Sequence, residues 1–82
     1  MPDFYLTGVQ HAFQRAFDLD PRSVTLDTQP DDIPQWDSLG HATLACSLER
    51  EFSIRFEIDE LMALENVRAI VTVVRGKLGA PS

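Results

Sequence analysis

The sequence predicts an all-α fold, a bundle of three longer helices and one short one, with a long loop between the first two. Three observations carry that expectation. Apolar residues recur at helical spacing in three separate segments: Leu6, Val9, Phe13, Ala16 and Phe17, then Leu44, Leu48 and Phe52, then Val67, Ile70, Val71 and Val74. Pro21, Pro30 and Pro34 all fall between the first and second segments, where they break any helix. A chain of 82 residues forms one domain, residues 1–82, with only a modest margin of burial.

Each element follows from its local chemistry. Asp3 is a suitable N-cap for a first helix running to about Phe17, in which Gly8 is a mild penalty. From Asp18 to Trp36 the periodicity dissolves. Loops of that length in small domains are functional or anchored, and Val24, Leu26, Ile33 and Trp36 are the expected anchors. A second helix starts near Ser38 and ends at about Glu51 or Phe52. A short third helix fits Ile58 to Leu64, with acids at its start where the helix dipole favours them. Asn66 then caps a fourth helix, which Gly76 and Gly79 should fray ahead of an Ala80-Pro81-Ser82 tail. The run Ile70 to Val74 has the composition of a strand, but a lone strand would have nothing to pair with.

Bulk composition excludes several classes. At 44% hydrophobic and 24% charged, the chain is not disordered throughout. Runs such as Ala69-Ile70-Val71 are far too short to span a bilayer, and MPDFYLTGVQ lacks the basic and apolar regions of a signal peptide. A cytoplasmic monomer without membrane insertion is therefore expected. The single cysteine, Cys46, excludes an internal disulfide framework. Thirteen acids against seven bases give a net charge of −6, opposite in sign to a nucleic-acid binder.

The acids are also unevenly placed. Asp18, Asp20, Asp27, Asp31, Asp32 and Asp37 face only Arg22 in the same stretch. Glu57, Asp59, Glu60 and Glu65 form a second cluster, and the chain beyond it carries the bases Arg68, Arg75 and Lys77.

The stretch QWDSLGHATL, residues 35–44, concentrates the chemistry. Either Asp37 or Ser38 can cap the second helix by accepting a free backbone N–H. Capping accounts for only one of the two. Alternatively, Ser38 carries a phosphate ester, which the unpaired N–H groups and positive dipole end of a helix favour. A Ser–His–Asp hydrolase fails: G-x-S-x-G is absent, and Asp37, Ser38 and His41 within one turn cannot place the acid behind the histidine. A calcium loop from Asp18 fails at Arg22, Ser23 and Gln29. His11, His41 and Cys46 lack metal-ligand spacing, which leaves the histidines solvated or locally packed.

The run W-D-S-L-G-H, followed by LACSLEREFSIRF and then E-x-x-x-L-E-N-V-x-x-I-V, resembles the acyl carrier protein family over nearly the whole chain. The resemblance implies that Ser38, flanked by Asp37 and Leu39, receives 4′-phosphopantetheine from coenzyme A through a separate phosphopantetheinyl transferase. It implies a non-catalytic holder that carries acyl groups as thioesters between acyl-loading and acyl-transferring enzymes, and an aminoacyl or peptidyl carrier is a close variant. Leu44, Leu48, Phe52, Ile58, Leu64 and Ile70 would supply apolar walls for cargo. A small acidic helical interaction module without a prosthetic group is the alternative from another class.

One departure from the family pattern bears on partners. Members of the family often carry acids two and five residues after the serine; here those positions are Gly40 and Thr43, with His41 between them. Gly40 offers room for close approach of a partner backbone, Ala42 and Cys46 continue a small apolar edge from Ser38, and Glu57, Asp59 and Glu60 carry charge. Cys46 reads as a packed or interface thiol. These features point to a discrete, specialised bacterial carrier in a lipid or polyketide-like pathway.

Overall fold

Helix boundaries follow the chemistry at each end. The computed structural model describes residues 4–79 and contains α1 (Phe4–Phe17), α2 (Ser38–Phe52), α3 (Ile58–Met62) and α4 (Val67–Gly79), with no strand among the described residues. The expected cap at Asp3 lies outside them. α1 stops where Asp18 turns to φ 56°, its N–H donating to the Gln14 carbonyl at 2.8 Å. α2 stops likewise at Ser53, which adopts φ 55° and ψ 47° and donates its N–H to Glu49. These are left-handed conformations that close a helix without glycine.

α4 opens as the sequence predicts, with Asn66 Oδ1 accepting the Ala69 N–H at 2.8 Å. Its other end does not fray at Gly76 but runs through to Gly79. Contacts flank the glycine. Val71 and Val74 are buried just before it, Arg75 lies over the Tyr5 ring at 5.4 Å, and Lys77 is paired with Glu60. Tertiary anchoring on both sides outweighs a penalty of about 1 kcal/mol for glycine in a helix.

The long loop is not shapeless. Two 3-10 turns, Pro21–Ser23 and Pro30–Asp32, each place proline in the first turn, where no N–H is needed. Asp20 caps the first of them and pairs with Arg22, whose hydrogen bonds hold the Asp20 carboxyl below its ordinary value. Val24, Ile33 and Trp36 are buried as expected, and Leu26 packs against them. Polar ties complete the anchoring: Gln10 Nε2 donates to the Val24 carbonyl at 2.7 Å, and the Val67 N–H donates to the Thr28 carbonyl at 3.0 Å. Asp27 meets Arg68 of α4 at 3.2 Å, so charge separated along the sequence is brought together in space.

The core forms chiefly between α1 and α2, closed by α4 and the loop. Val9, Phe13, Leu44, Leu48, Val67, Ile70 and Val74 are fully buried, each contributing about 1.5–3 kcal/mol relative to exposure. Gly8 is buried against the Phe52 ring, which occupies the space a Cβ would need. Trp36 meets Phe13 edge-on, with ring centroids 5.1 Å apart. α3 differs in kind, for none of its residues is buried. It is shorter than expected, ending at Met62 with Ala63 as its C-cap, while Leu64 drops into the core. No helix among the described residues is long and apolar enough to cross a membrane.

Candidate functional site

Ser38 occupies the first position of α2, and the structure decides which residue caps that helix. Asp37 Oδ1 accepts the Gly40 N–H at 2.8 Å, and the Asp37 carbonyl accepts the His41 N–H. The Ser38 hydroxyl is exposed and makes no hydrogen bond with any described residue. It stands at the positive end of a helix of 15 residues, beside backbone N–H groups that have no partner within the helix.

The geometry disposes of a triad. The carboxylate of Asp37 is spent on the Gly40 N–H, and both ring nitrogens of His41 point elsewhere. Trp36 Nε1 donates to His41 Nδ1 at 2.8 Å, and His41 Nε2 lies 3.0 Å from the Leu61 carbonyl. Among the described residues no base addresses the Ser38 hydroxyl, so none of them activates it as a nucleophile. No group of three or more His, Cys, Asp or Glu among the described residues could hold a metal ion.

Around Ser38 the surface is open and mixes apolar with polar side chains. A groove of about 520 Å³ runs past it, walled by Pro30, Trp36, His41, Met62 and Leu64. A second groove, of about 500 Å³, lies on the α1 side of the same helix end and is lined by Arg15, Phe17, Gln35, Leu39 and Thr43. Leu39 is 79% exposed on α2, and Ile58 and Met62 are 78% and 75% exposed on α3. Such side chains are unsatisfied in the free protein and suit a partner surface.

The other residues singled out in the sequence are placed as follows. Ala42 and Cys46 are exposed along α2, and the Cys46 thiol is free and exposed, not packed within the chain. Glu57 and Asp59 are exposed, whereas Glu60 is half-buried, accepts the Glu57 N–H at 2.8 Å and pairs with Lys77 Nζ at 2.8 Å. Those two contacts, the backbone one foremost, hold the Glu60 carboxyl below its ordinary value. Leu44, Leu48, Phe52, Leu64 and Ile70 are buried, but Ile58 faces solvent.

Gly40 has a use different from the one its position implies. A Cβ built there would overlap the Gln35 carbonyl oxygen and crowd the Phe17 ring. The close approach is made by the chain's own backbone, where the loop enters α2. Sequence reasoning also missed Met62 and the double role of His41. The spacing of Ile58 and Met62, one turn apart in a short helix, was the available signal for Met62. A ring bridging Trp36 to a carbonyl twenty residues away leaves no trace in sequence.

A family model described as a phosphopantetheine attachment site matches residues 7–74, a span running from α1 into α4 and including Ser38. No curated protein matches the chain.

Proposed function

Because the chain belongs to the family of phosphopantetheine attachment sites, and its prosthetic group is accordingly 4′-phosphopantetheine, we propose that Ser38 carries that group and that the protein is an acyl carrier. One observation carries the reading: Ser38 presents an exposed, unbonded hydroxyl at the capped entrance of α2.

The residues present fit the group. A phosphate ester on Ser38 meets the free N–H groups of the first turn, while Asp37 fixes that turn from outside through Gly40. The groove beside it, with the Trp36 and Met62 side chains, offers an apolar bed for an arm. When attached, the group supplies a terminal thiol that holds acyl cargo as a thioester. The polypeptide's part is to present the hydroxyl, keep it clear of competing bonds, and offer a surface to a phosphopantetheinyl transferase and to acyl-loading and acyl-transferring enzymes.

That surface is apolar on α2 (Leu39, Ala42, Cys46) and mixed on α3, where Ile58 and Met62 sit among Glu57, Asp59 and Glu60. Its first α2 turns carry no acid. This supports a specialised lipid or polyketide-like pathway whose enzymes read apolar contacts beside Ser38, in preference to enzymes that read an acidic second helix.

Incubation with coenzyme A, magnesium and a broad-specificity transferase should add one phosphopantetheine to wild type and none to Ser38→Ala, measured by intact mass. The alanine variant should change stability by no more than about 0.5 kcal/mol, since the hydroxyl caps nothing. Modification at Ser23, Ser47 or Ser53 would overturn the assignment. Absence of any modification would leave the small acidic interaction module as the better reading.

A further inference from the structure

α3 buries no residue fully and packs Leu61 only partly against the core, so polar contacts share in fixing its position. Glu49 Oε2 accepts the Phe56 N–H ahead of it at 2.8 Å, Lys77 of α4 pairs with Glu60 at 2.8 Å, and His41 of α2 reaches the Leu61 carbonyl at 3.0 Å. The last of these starts three residues from Ser38. Its hydrogen bonds define the proton inventory of the ring. Nδ1 accepts the indole N–H of Trp36 and therefore bears no proton; Nε2, facing a carbonyl, must donate. The imidazole lies edge to edge with the indole, nearly in its plane, with planes 8° apart and centroids 6.2 Å apart. One neutral ring thus joins the loop, the first turn of α2 and the far end of α3.

We propose that His41 is the positioning residue that clamps α3 beside Ser38, and that the clamp closes only with the neutral Nε2–H imidazole, so presentation of Ser38 weakens as His41 gains a proton. The functional half rests on Ser38 being the attachment residue; the clamp itself is a property of the unmodified chain. Protonation at Nδ1 sets its new N–H directly against the indole N–H, two donors with no acceptor between them. The ring must leave the indole plane to separate them, and the half-buried indole N–H loses its partner.

The elements around His41 carry mostly acids. The loop brings Asp31, Asp32 and Asp37, α3 brings Asp59 and Glu60, and α2 has no charged residue before Glu49. Lys77 of α4, the base tied to α3, is already paired with Glu60. Nothing in that set opposes the charged ring once it swings free. Ile58 and Met62 ride on α3, so their spacing from Leu39 depends on the clamp.

The test uses ¹⁵N-labelled, unmodified protein on a His11→Asn background, so that His41 titrates alone. Imidazole ¹⁵N shifts are followed from neutral pH downward until the ring is fully protonated. The Trp36 indole proton and the exchange rate of the Ala63 amide, which bonds to Asp59 across α3, are read in parallel and corrected for intrinsic pH dependence. The Nε2–H tautomer is expected at the upper end, and its protonation should coincide with an indole shift and a several-fold rise in Ala63 exchange. His41→Phe keeps a ring beside Trp36 without either hydrogen bond. It should exchange several-fold faster at every pH, with no step. His41→Gln can donate to Leu61 without titrating, and should restore slow exchange and remain flat.

In the transferase assay at neutral pH, kcat/KM for Ser38 should fall several-fold in His41→Phe and recover in His41→Gln. An Nδ1–H tautomer in wild type, or Ala63 exchange in His41→Phe equal to wild type, would overturn the clamp. Unchanged kcat/KM in His41→Phe would overturn its link to presentation. Failure of wild type to accept the group at all would overturn the attachment reading and the link with it, while the tautomer and exchange results still decide the clamp.

Discussion

The two sides of α2 are held by different physics. Toward α1 it buries Leu44, Leu48 and Phe52 against Val9, Phe13 and Phe17, and two glycines let the chain close to contact distance. Toward α3 it offers His41 and Glu49 as hydrogen-bonding partners and meets a helix with no buried residue. Ser38 stands at the end of this divide. One wall of its surroundings is fixed by packing; the other combines the partial packing of Leu61 with hydrogen bonds and an ion pair, polar interactions individually worth about 0.5–1.5 kcal/mol. The side proposed to meet successive enzymes is the side that packing fixes least.

Substitutions can break that contrast. The largest effect is expected on the packed side. Gly40→Asp would supply an acid at a position where related carriers often have one, yet its Cβ collides with the Gln35 carbonyl, part of the backbone and unable to rotate away. Overpacking of this kind costs about 1–3 kcal/mol or more, against a gain of about 0.3 kcal/mol from replacing glycine by aspartate in a helix. Chemical denaturation should show a clear net loss. A variant as stable as wild type would mean that the loop does not press on α2.

A smaller effect is expected on the yielding side. The Glu60 carboxyl, bonded to the Glu57 N–H and Lys77, is held below its ordinary value of 4.5. A depressed carboxylate contributes stability that is present above its ordinary value and lost as pH falls through the folded one. Glu60→Gln should therefore lower the Tm at about pH 7, and the gap from wild type should close as pH falls through the folded value. A gap that persists in acid would assign the loss to packing, and α3 would then resemble the other side after all.

The smallest change in stability, within about 0.5 kcal/mol, is expected for Thr43→Glu on exposed α2 surface. It sharpens the contrast by adding charge where the backbone allows a side chain. An acyl-transferring enzyme with a basic docking patch should act faster on the modified variant than on modified wild type at low salt, with the advantage shrinking at high salt. No gain at low salt would remove the link between the acid-poor turn and partner choice.

The sequence carried the packed side well, because burial imposes a period. Leu44, Leu48 and Phe52 lie one turn apart, and all three are buried. Asn66 was readable as a cap and Asp37 as one of two candidates, since an oxygen ahead of an apolar run has few other uses. The other side was opaque for a physical reason. A histidine bridging two elements, a glycine pressed on a carbonyl, and a helix carried through Gly76 by neighbouring contacts all depend on residues distant in sequence. Ser38 itself was legible by its motif, but its free hydroxyl became visible only once Asp37 was seen to take the cap.

The distribution of charge along α2 also acts before any contact forms. Between Ser23 and Glu49 the chain contains no lysine or arginine, while Asp31, Asp32 and Asp37 gather at the Ser38 end. At the opposite end Arg50 and Arg55 only offset Glu49 and Glu51, and Arg50 lies roughly 18 Å from Ser38 at the usual rise of a helix. A body charged in this way feels a torque as well as a pull in the field of a positive surface. It arrives rotated, with the Ser38 end foremost, and less of the encounter is wasted on the wrong face.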